Sequence, residues 1–597
     1  MKKKPQEIWL SSIIVVTLSP NKRLMEEEKR KVRIIFTSDV HGNYFPFDFR
    51  HTRWGKGSLQ RVYAYVAQEC QRRPGSTILI DGGDMLQGEP TSYYFNYISK
   101  SKSHRVADFC NFIGYDVAVI GNHDLETGHA VFDKYVDDCN YPILGANAID
   151  VHTGQPYFQP YTMLYRSGVR IAVIGFITPA IPHWIPETVW QDIHFEDIKE
   201  SAAKWVQKVK EEEAPDFIIG LLHSGMDEGI ITEEYRENAT RETASSVDGF
   251  DLILYGHDHA SNIEMIENPS GKQVLCINPG SYAHNVAQVN IEFTLDADKH
   301  VIGHTIHSKL HYIGTVRNQH SQTFRNHFFR DYQDVSRYAA EQLGTFHSDL
   351  KIIDAYFGSS SYIDLIQQLQ LKVSGADISF AAPLFFNAVI KAGSVKISDL
   401  FNIYRFEDKL YVVKLYGREI KDYLEMSYSA WINTMTSEDD ALLQTCPMKS
   451  NPNRTGFKNF IFNFDSAAGI CYDVDVRQTD GQRITIKHMT DGTPFDPDRL
   501  YTCAMTAYRA NGGGELLTKG AGLTKDEIDT RIVTTTDHDI RYYLMEYIRE
   551  QKDIYPAQMN HWKFIPEDWV AKAKVREIEQ LFSNYPSDEE EEELEER

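Results

Sequence analysis

Five short apolar runs stand out in the first half of the chain, at residues 33–37 (RIIFT), 77–80 (TILI), 117–120 (VAVI), 217–222 (FIIGLL) and 252–255 (LILY). They do not alternate apolar with polar positions, and Ile, Leu and Val dominate them. That is the pattern of strands buried on both faces. Helix-like stretches such as Lys199 to Glu211 lie between them. Strand alternating with helix predicts an α/β layered core. Further on, residues 322–347 hold no proline and no glycine before Gly344. Phe324, Phe328, Phe329, Tyr332 and Val335 recur there at helical spacing, which predicts a connecting helix. The expected division is a leader segment at 1–30, a catalytic domain at 31–318 and the connecting helix at 319–350. A separate α/β domain follows at 351–555, then an extension with an acidic tail at 556–597.

Each apolar run ends on residues of the types that bind metal. They are Asp39-Val40-His41, Gly83-Asp84, Gly121-Asn122-His123-Asp124, His223, and Gly256-His257-Asp258-His259. Ligands gather beyond the carboxyl ends of strands in such sheets, so the five segments are expected to converge. Asp39, His41, Asp84 and His259 can hold one ion. Asp84, Asn122, His223 and His257 can hold a second, with Asp84 bridging. The oxygen and imidazole set suits Zn, Mn, Mg or Fe without choosing among them. Two divalent ions about 3.5–4 Å apart clamp a phosphoryl group and activate water for attack on phosphorus. His123 is expected to face the substrate and to protonate the leaving oxygen or stabilise the transition state, oriented by Glu126 or Asp124. Taken singly, each segment has a plainer reading: a D-x-H is usually a loop, and GNHD a turn with a helix cap. Five in order, each after a strand-like run, are not explained by packing. His129, His183 and His194 lack such a setting and read as ordinary.

At these residues the chain resembles the calcineurin-like metallophosphoesterases. The second half narrows the resemblance through Asp377-Ile378-Ser379, Phe401-Asn402-Ile403-Tyr404-Arg405-Phe406, Phe462-Asn463-Phe464-Asp465 and Tyr508-Arg509-Ala510-Asn511-Gly512-Gly513. These are similar to the C-terminal domain of the 5′-nucleotidase family, most of all its 2′,3′-cyclic-nucleotide 2′-phosphodiesterase/3′-nucleotidase branch. The resemblance implies that the layered core is a β-sandwich flanked by helices, and that the aromatic rings of a nucleotide-binding second domain hold the base. Phe462 and Tyr508 match those positions, with Phe464 as alternate, and Asn387, Gly512 and Gly513 join them as substrate-binding candidates. It also implies hydrolysis of 2′,3′-cyclic nucleotides and 3′-nucleotides. The Gly-Gly-x-Arg segment usual in 5′-nucleotidases is replaced by Ala381-Ala382-Pro383-Leu384-Phe385-Phe386-Asn387, with no arginine. That weighs against a 5′-nucleotidase or nucleotide-sugar hydrolase. An inactive nucleotide-binding surface protein is disfavoured because every ligand position is filled. Ser/Thr protein phosphatases are disfavoured by the missing G-D-x-H-G and D-R-G strings.

Composition removes other classes. Asp and Glu number 85 against 62 Lys and Arg, a net charge of −23. Duplex nucleic acid rewards basic patches, so it is not an expected partner. The 588–596 run reads as a solvated, disordered tail. Seven cysteines form no C-x-x-C pair, which disfavours structural zinc and redox motifs. Lys2-Lys3-Lys4 precede an apolar stretch at 8–18 that resembles a short signal peptide without a clear cleavage site. That stretch is too short for an integral membrane span. The expected location is periplasmic or cell-surface, or cytoplasmic if the segment is not a signal. Oligomeric state has no signature in the sequence.

Overall fold

The computed structural model describes residues 28–72, 74–233, 235–448 and 451–582. Most of the leader-like segment and the acidic tail lie outside the described residues. The chain divides into two compact units, Met1–Pro182 with Glu187–Tyr338, and His183–Pro186 with Ala339–Arg597.

In the first unit all five apolar runs are strands: Glu28–Thr37, Thr77–Asp81, Val117–Val119, Phe217–His223 and Leu252–Tyr255. They sit inside two six-stranded sheets. The first runs Val301–Tyr312, Asn285–Leu295, Glu28–Thr37, Thr77–Asp81, Val117–Val119, Ile143–Leu144. The second runs Asn262–Glu267, Gln273–Asn278, Leu252–Tyr255, Phe217–His223, Val169–Ile177, Tyr161–Arg166. The motif-bearing strands pair in parallel. Antiparallel strands finish the sheets at Val301–Tyr312, Asn262–Glu267 and Tyr161–Arg166. One apolar cluster joins the facing sheets, with Ile34, Phe36, Ile80 and Val119 on one side and Val173, Ile219, Leu221 and Leu254 on the other. This two-sheet sandwich is the layered α/β core expected. The Ile198–Glu213 helix flanks it, capped by the Asp197 carboxylate accepting from the Glu200 N–H at 3.0 Å. Its Ala202, Trp205, Val206 and Val209 pack with Ala172, Ile174 and Ile218 of the second sheet.

The second unit has a five-stranded sheet ordered Ser466–Ala468, Ile378–Ala381, Leu500–Thr506, Lys409–Tyr416, Ile532–Asp539. The Ser361–Ser374 helix is tied to it by Gln367 Nε2 donating to Ser466 O at 2.8 Å. Two boundaries differ from expectation. The connecting helix does not reach 350: helices Gln319–His327 and Phe329–Ala339 are followed by strand Gln342–Phe346. That strand pairs with Gly393–Lys396 and with Asp553–Ile554, partners too distant in sequence for helical periodicity to register. Residues 556–582 are not an appended extension either. Strand Trp562–Ile565 extends the sheet of Ile470–Asp475, and Glu577 of helix Glu567–Phe582 accepts from the Leu442 and Leu443 N–H groups at 2.6 and 2.8 Å.

Candidate functional site

The ligand candidates lie where the buried strands stop and the backbone turns sharply. Asp39, His41, Asp84, His257 and His259 all have positive φ, between 47° and 79°. Non-glycine residues rarely take this left-handed conformation, which costs of order 1–3 kcal/mol and persists where the surroundings enforce it. Here the enforcement is hydrogen bonding: Asp39 N–H donates to Gly83 O and His41 N–H to Asp84 O, each at 3.0 Å. The His257 N–H points at both Asp39 carboxylate oxygens at 3.2 Å. Gly121 is required by close approach, because a Cβ there would lie 2.1 Å from Asp84 Oδ1.

Two clusters result. In one, Asp39, His41 and His259 bring ligand atoms within 4.8 Å of one another. His41 Nε2 and His259 Nε2 face each other at 3.0 Å, and Asp39 Oδ1 is 3.6 Å from His259 Nε2. In the other, Asp84, His223 and His257 do the same. Asn122 Oδ1 sits 2.9 Å from both His223 Nε2 and His257 Nδ1. Ligand atoms at metal-bond lengths of about 2.0–2.2 Å stand roughly 3–3.5 Å from each other, so both donor sets fit a divalent cation. Asp84 faces both clusters through one oxygen: Oδ2 is 3.2 Å from His223 Nε2 and 3.7 Å from His41 Nε2. Its Oδ1 is occupied by the His123 N–H at 2.8 Å.

The electrostatics agree with cation binding. Asp39 and Asp84 are buried, where an unpaired carboxylate is costly. Burial opposes ionisation of Asp84, yet His223, His123 and His41 hold its carboxyl well below the usual range. Burial and the neighbouring His259 push the His41 pKa well down, leaving a neutral imidazole. His41 Nδ1 lies 3.1 Å from Gln87 O and His223 Nδ1 2.6 Å from Gly82 O. Donation from each Nδ1–H would turn an Nε2 lone pair toward the clusters. Burial alone would lower the His223 pKa, but Asp84 raises it to about 10, so proton and cation compete for the same Nε2.

His123 lies beside the clusters, its ring centroid 5.4 Å from that of His41. Its Nδ1 meets Glu126 Oε2 at 2.6 Å. Burial would lower its pKa, but Asp84 and Glu126 outweigh burial and raise it to about 9. Asp124 is not its partner, which corrects the reading of Asp124 as catalytic. That carboxylate is buried and accepts the N–H groups of Asp84, Met85, Leu86 and Gly121 at 2.8–3.0 Å. Its neighbours are backbone groups, and it holds two ligand loops in register. Sequence reasoning missed three further groups. Ser38 Oγ donates to Asp39 Oδ2, the Tyr282 ring lies 5.8 Å from His41, and Glu237 Oε1 lies 3.1 Å from His257 Nε2. Ser38 sits next to Asp39 in sequence, whereas Tyr282 and Glu237 have no local sequence signal because they reach the site through the fold.

In the second unit, half-buried Phe462 and Tyr508 approach edge-on, with centroids 5.9 Å apart and planes at 88°. Phe464 does not join them. It is fully buried and stacked on Trp431 at 5.5 Å, so it is core. Asn387 is exposed between strands Ile378–Ala381 and Val389–Ile390. Gly513 permits the Tyr508 ring to lie on the backbone, since a Cβ there would sit 2.3 Å from it. Gly512 takes φ 98° in the same turn. Buried Arg509 ties the two aromatic segments together. It donates to Phe462 O at 2.6 Å, Asn463 Oδ1 at 2.9 Å, Gly513 O at 2.7 Å and both Asp465 oxygens at 3.0 and 3.1 Å.

Comparison with known proteins agrees with this layout. The family model described as calcineurin-like phosphoesterase matches residues 32–261, and that described as 5′-nucleotidase, C-terminal domain, matches 339–519. The trifunctional nucleotide phosphoesterase protein YfkN of Bacillus subtilis is 26% identical over 89% of this chain, which spans only 39% of that protein. The 2′,3′-cyclic-nucleotide 2′-phosphodiesterase/3′-nucleotidase of Haemophilus influenzae is 24% identical over 95% of this chain and 93% of its own length. A putative 5′-nucleotidase structure from Staphylococcus aureus superposes with a TM-score of 0.72 at 22% identity, covering 90% of this chain and all of its own. Among the described residues no helix is long and apolar enough to cross a membrane.

Proposed function

Because the chain joins a calcineurin-like phosphoesterase domain to a 5′-nucleotidase C-terminal domain, we propose that this metal-dependent phosphoric ester hydrolase acts on 2′,3′-cyclic nucleotides and 3′-nucleotides. The observation that carries the reading is the meeting of two largely buried ligand clusters, five of whose residues lie on left-handed backbone, with one oxygen of Asp84 facing both. Asp39, His41, Asp84 and His259 would hold one divalent cation, and Asp84, Asn122, His223 and His257 the other. When bound, such ions supply Lewis-acid stabilisation of a phosphoryl group and lower the pKa of a water nucleophile. The remaining work falls to side chains. His123, oriented by Glu126, gives a proton or hydrogen bond to the leaving oxygen. Phe462 and Tyr508 offer ring faces to a base, a contact worth about 1–3 kcal/mol and tolerant of base identity. The choice of branch is supported by the absence of arginine from residues 381–387. It is supported too by a cyclic-nucleotide phosphodiesterase/3′-nucleotidase relative that matches 95% of the chain.

The test is product formation from 5′-AMP, 3′-AMP, 2′,3′-cyclic AMP and UDP-glucose by Mn²⁺-supplemented protein. The cyclic substrate must be followed by HPLC, because ring opening alone frees no phosphate. Turnover of the cyclic and 3′ substrates with 5′-AMP poor is the expected result. Preference for 5′-AMP or UDP-glucose would overturn the branch, and inactivity on all four would overturn the reading.

A further inference from the structure

Glu237 lies in the loop between strand Phe217–His223 and helix Thr240–Ser246. Its carboxylate has two occupied sides. Oε2 accepts the Ile230 N–H at 2.6 Å, and Oε1 stands 3.1 Å from His257 Nε2. The loop around it is pinned at both ends. The Glu237 N–H donates to Ile230 O at 2.9 Å, and Glu237 O accepts from Ser224 Oγ at 2.7 Å and Thr178 Oγ1 at 3.1 Å. Neighbouring Asn238 Oδ1 accepts the Gly225 N–H at 2.9 Å. Both side chains are largely shielded, with exposures of 11% for His257 and 15% for Glu237.

A neutral imidazole carries its proton on one nitrogen only. A carboxylate cannot donate, so the side of His257 facing Glu237 must carry the proton. That leaves the lone pair on Nδ1, which faces Asn122 Oδ1 at 2.9 Å in the cluster formed with Asp84 and His223. The opposite tautomer would place an N–H where a ligand lone pair is needed. The backbone of His257 is fixed separately, by its N–H to Asp39, and Glu237 acts on the ring through Nε2. We propose that Glu237 is a positioning residue that holds His257 in its Nε2–H tautomer and so sets the affinity of the Asp84/Asn122/His223/His257 cluster for a divalent cation.

This inference rests on the metal-binding reading of that cluster, and Glu237→Gln separates the two. The glutamine oxygen can still accept from Ile230 N–H, which preserves the loop. Its amide nitrogen then faces His257 Nε2 as a donor and favours the tautomer protonated on Nδ1. The measurement is Mn²⁺ titration of the metal-stripped full chain by calorimetry, with metal content counted after gel filtration. Wild type is expected to bind two ions. Glu237→Gln is expected to hold one as tightly as wild type and the other about 10- to 100-fold more weakly, with an unchanged melting temperature in EDTA. Glu237→Ala, which also removes the Ile230 bond, is expected to show the same metal defect together with a lower melting temperature. Wild-type affinity for both ions in Glu237→Gln would overturn the inference while leaving the metal reading intact. A wild-type chain that binds no ion would overturn both.

Discussion

At the scale of single residues, the three carboxyl and imidazole groups of the 123–126 segment have separable jobs. Residues three apart on a helical turn share a face, whereas adjacent ones point apart. Glu126 therefore meets His123 and Asp124 turns inward, so the choice between them was legible from spacing once 122–125 is helical. His123→Ala is expected to keep both metals yet lose about 10²–10⁴-fold in kcat. Glu126→Gln should lose less rate than that, with metal content and melting temperature unchanged. Stopped-assay kinetics beside metal analysis check both, and wild-type turnover in His123→Ala would remove its assigned role. Asp124→Ala should behave in the opposite manner. It strands four backbone N–H groups, each costing about 1–3 kcal/mol if buried without a partner. The expected result is a destabilisation on the order of 4 kcal/mol in denaturant titration, with metal binding lost as a consequence. A stable Asp124→Ala with a purely kinetic defect would contradict the structural role given to it.

At the scale of elements, the apolar runs were readable because burial on both faces leaves an unbroken local pattern. The candidate ligands were readable because each follows its run within a few residues. What escaped was set by contacts between distant segments. Gln342–Phe346 is a strand only because Asp553–Ile554 and Gly393–Lys396 lie beside it. Glu237 meets His257 20 residues away, and Arg509 meets Asn463 and Asp465 about 45 residues away. The Arg105–Ile113 helix illustrates a cost hidden in the same manner. His104 precedes it, donating its N–H to Asp138 Oδ2 at 2.6 Å, while neither of its buried ring nitrogens meets a partner. Burial, opposed by Asp138, lowers its pKa to about 4. Between pH 6.5 and 4 the unfolded chain therefore binds a proton that the folded chain refuses. Stability falls as pH drops through that window, by about 3 kcal/mol at its lower end. His104→Phe should lose less melting temperature than wild type between pH 7 and pH 4.5, both measured in EDTA to remove metal effects. Parallel melting curves against pH would show that His104 is not the source.

At the scale of the whole molecule, the proposed function gives phosphoester chemistry and base recognition separate scaffolds. The ligand clusters and His123 belong to the first unit, while Phe462, Tyr508 and Arg509 belong to the second. Each unit has its own sheets and buried core. Under the proposed function this division has a kinetic consequence. Removing a base-stacking ring forfeits about 1–3 kcal/mol of substrate binding, which corresponds to a rise in KM of roughly 5- to 150-fold. The phosphoryl group is handled elsewhere, so kcat should change far less. A small ester such as p-nitrophenyl phosphate has no base to lose and should report on the metal centre alone. Tyr508→Ala is the suitable variant, because Arg509 would still bridge Phe462, Asn463 and Asp465 and keep the turn in place. The expected outcome is a large KM increase for 3′-AMP with p-nitrophenyl phosphate hydrolysis unchanged. Equal losses on the two substrates would mean that Tyr508 supports the fold of its unit and not the base, and the assignment of that ring would have to be withdrawn.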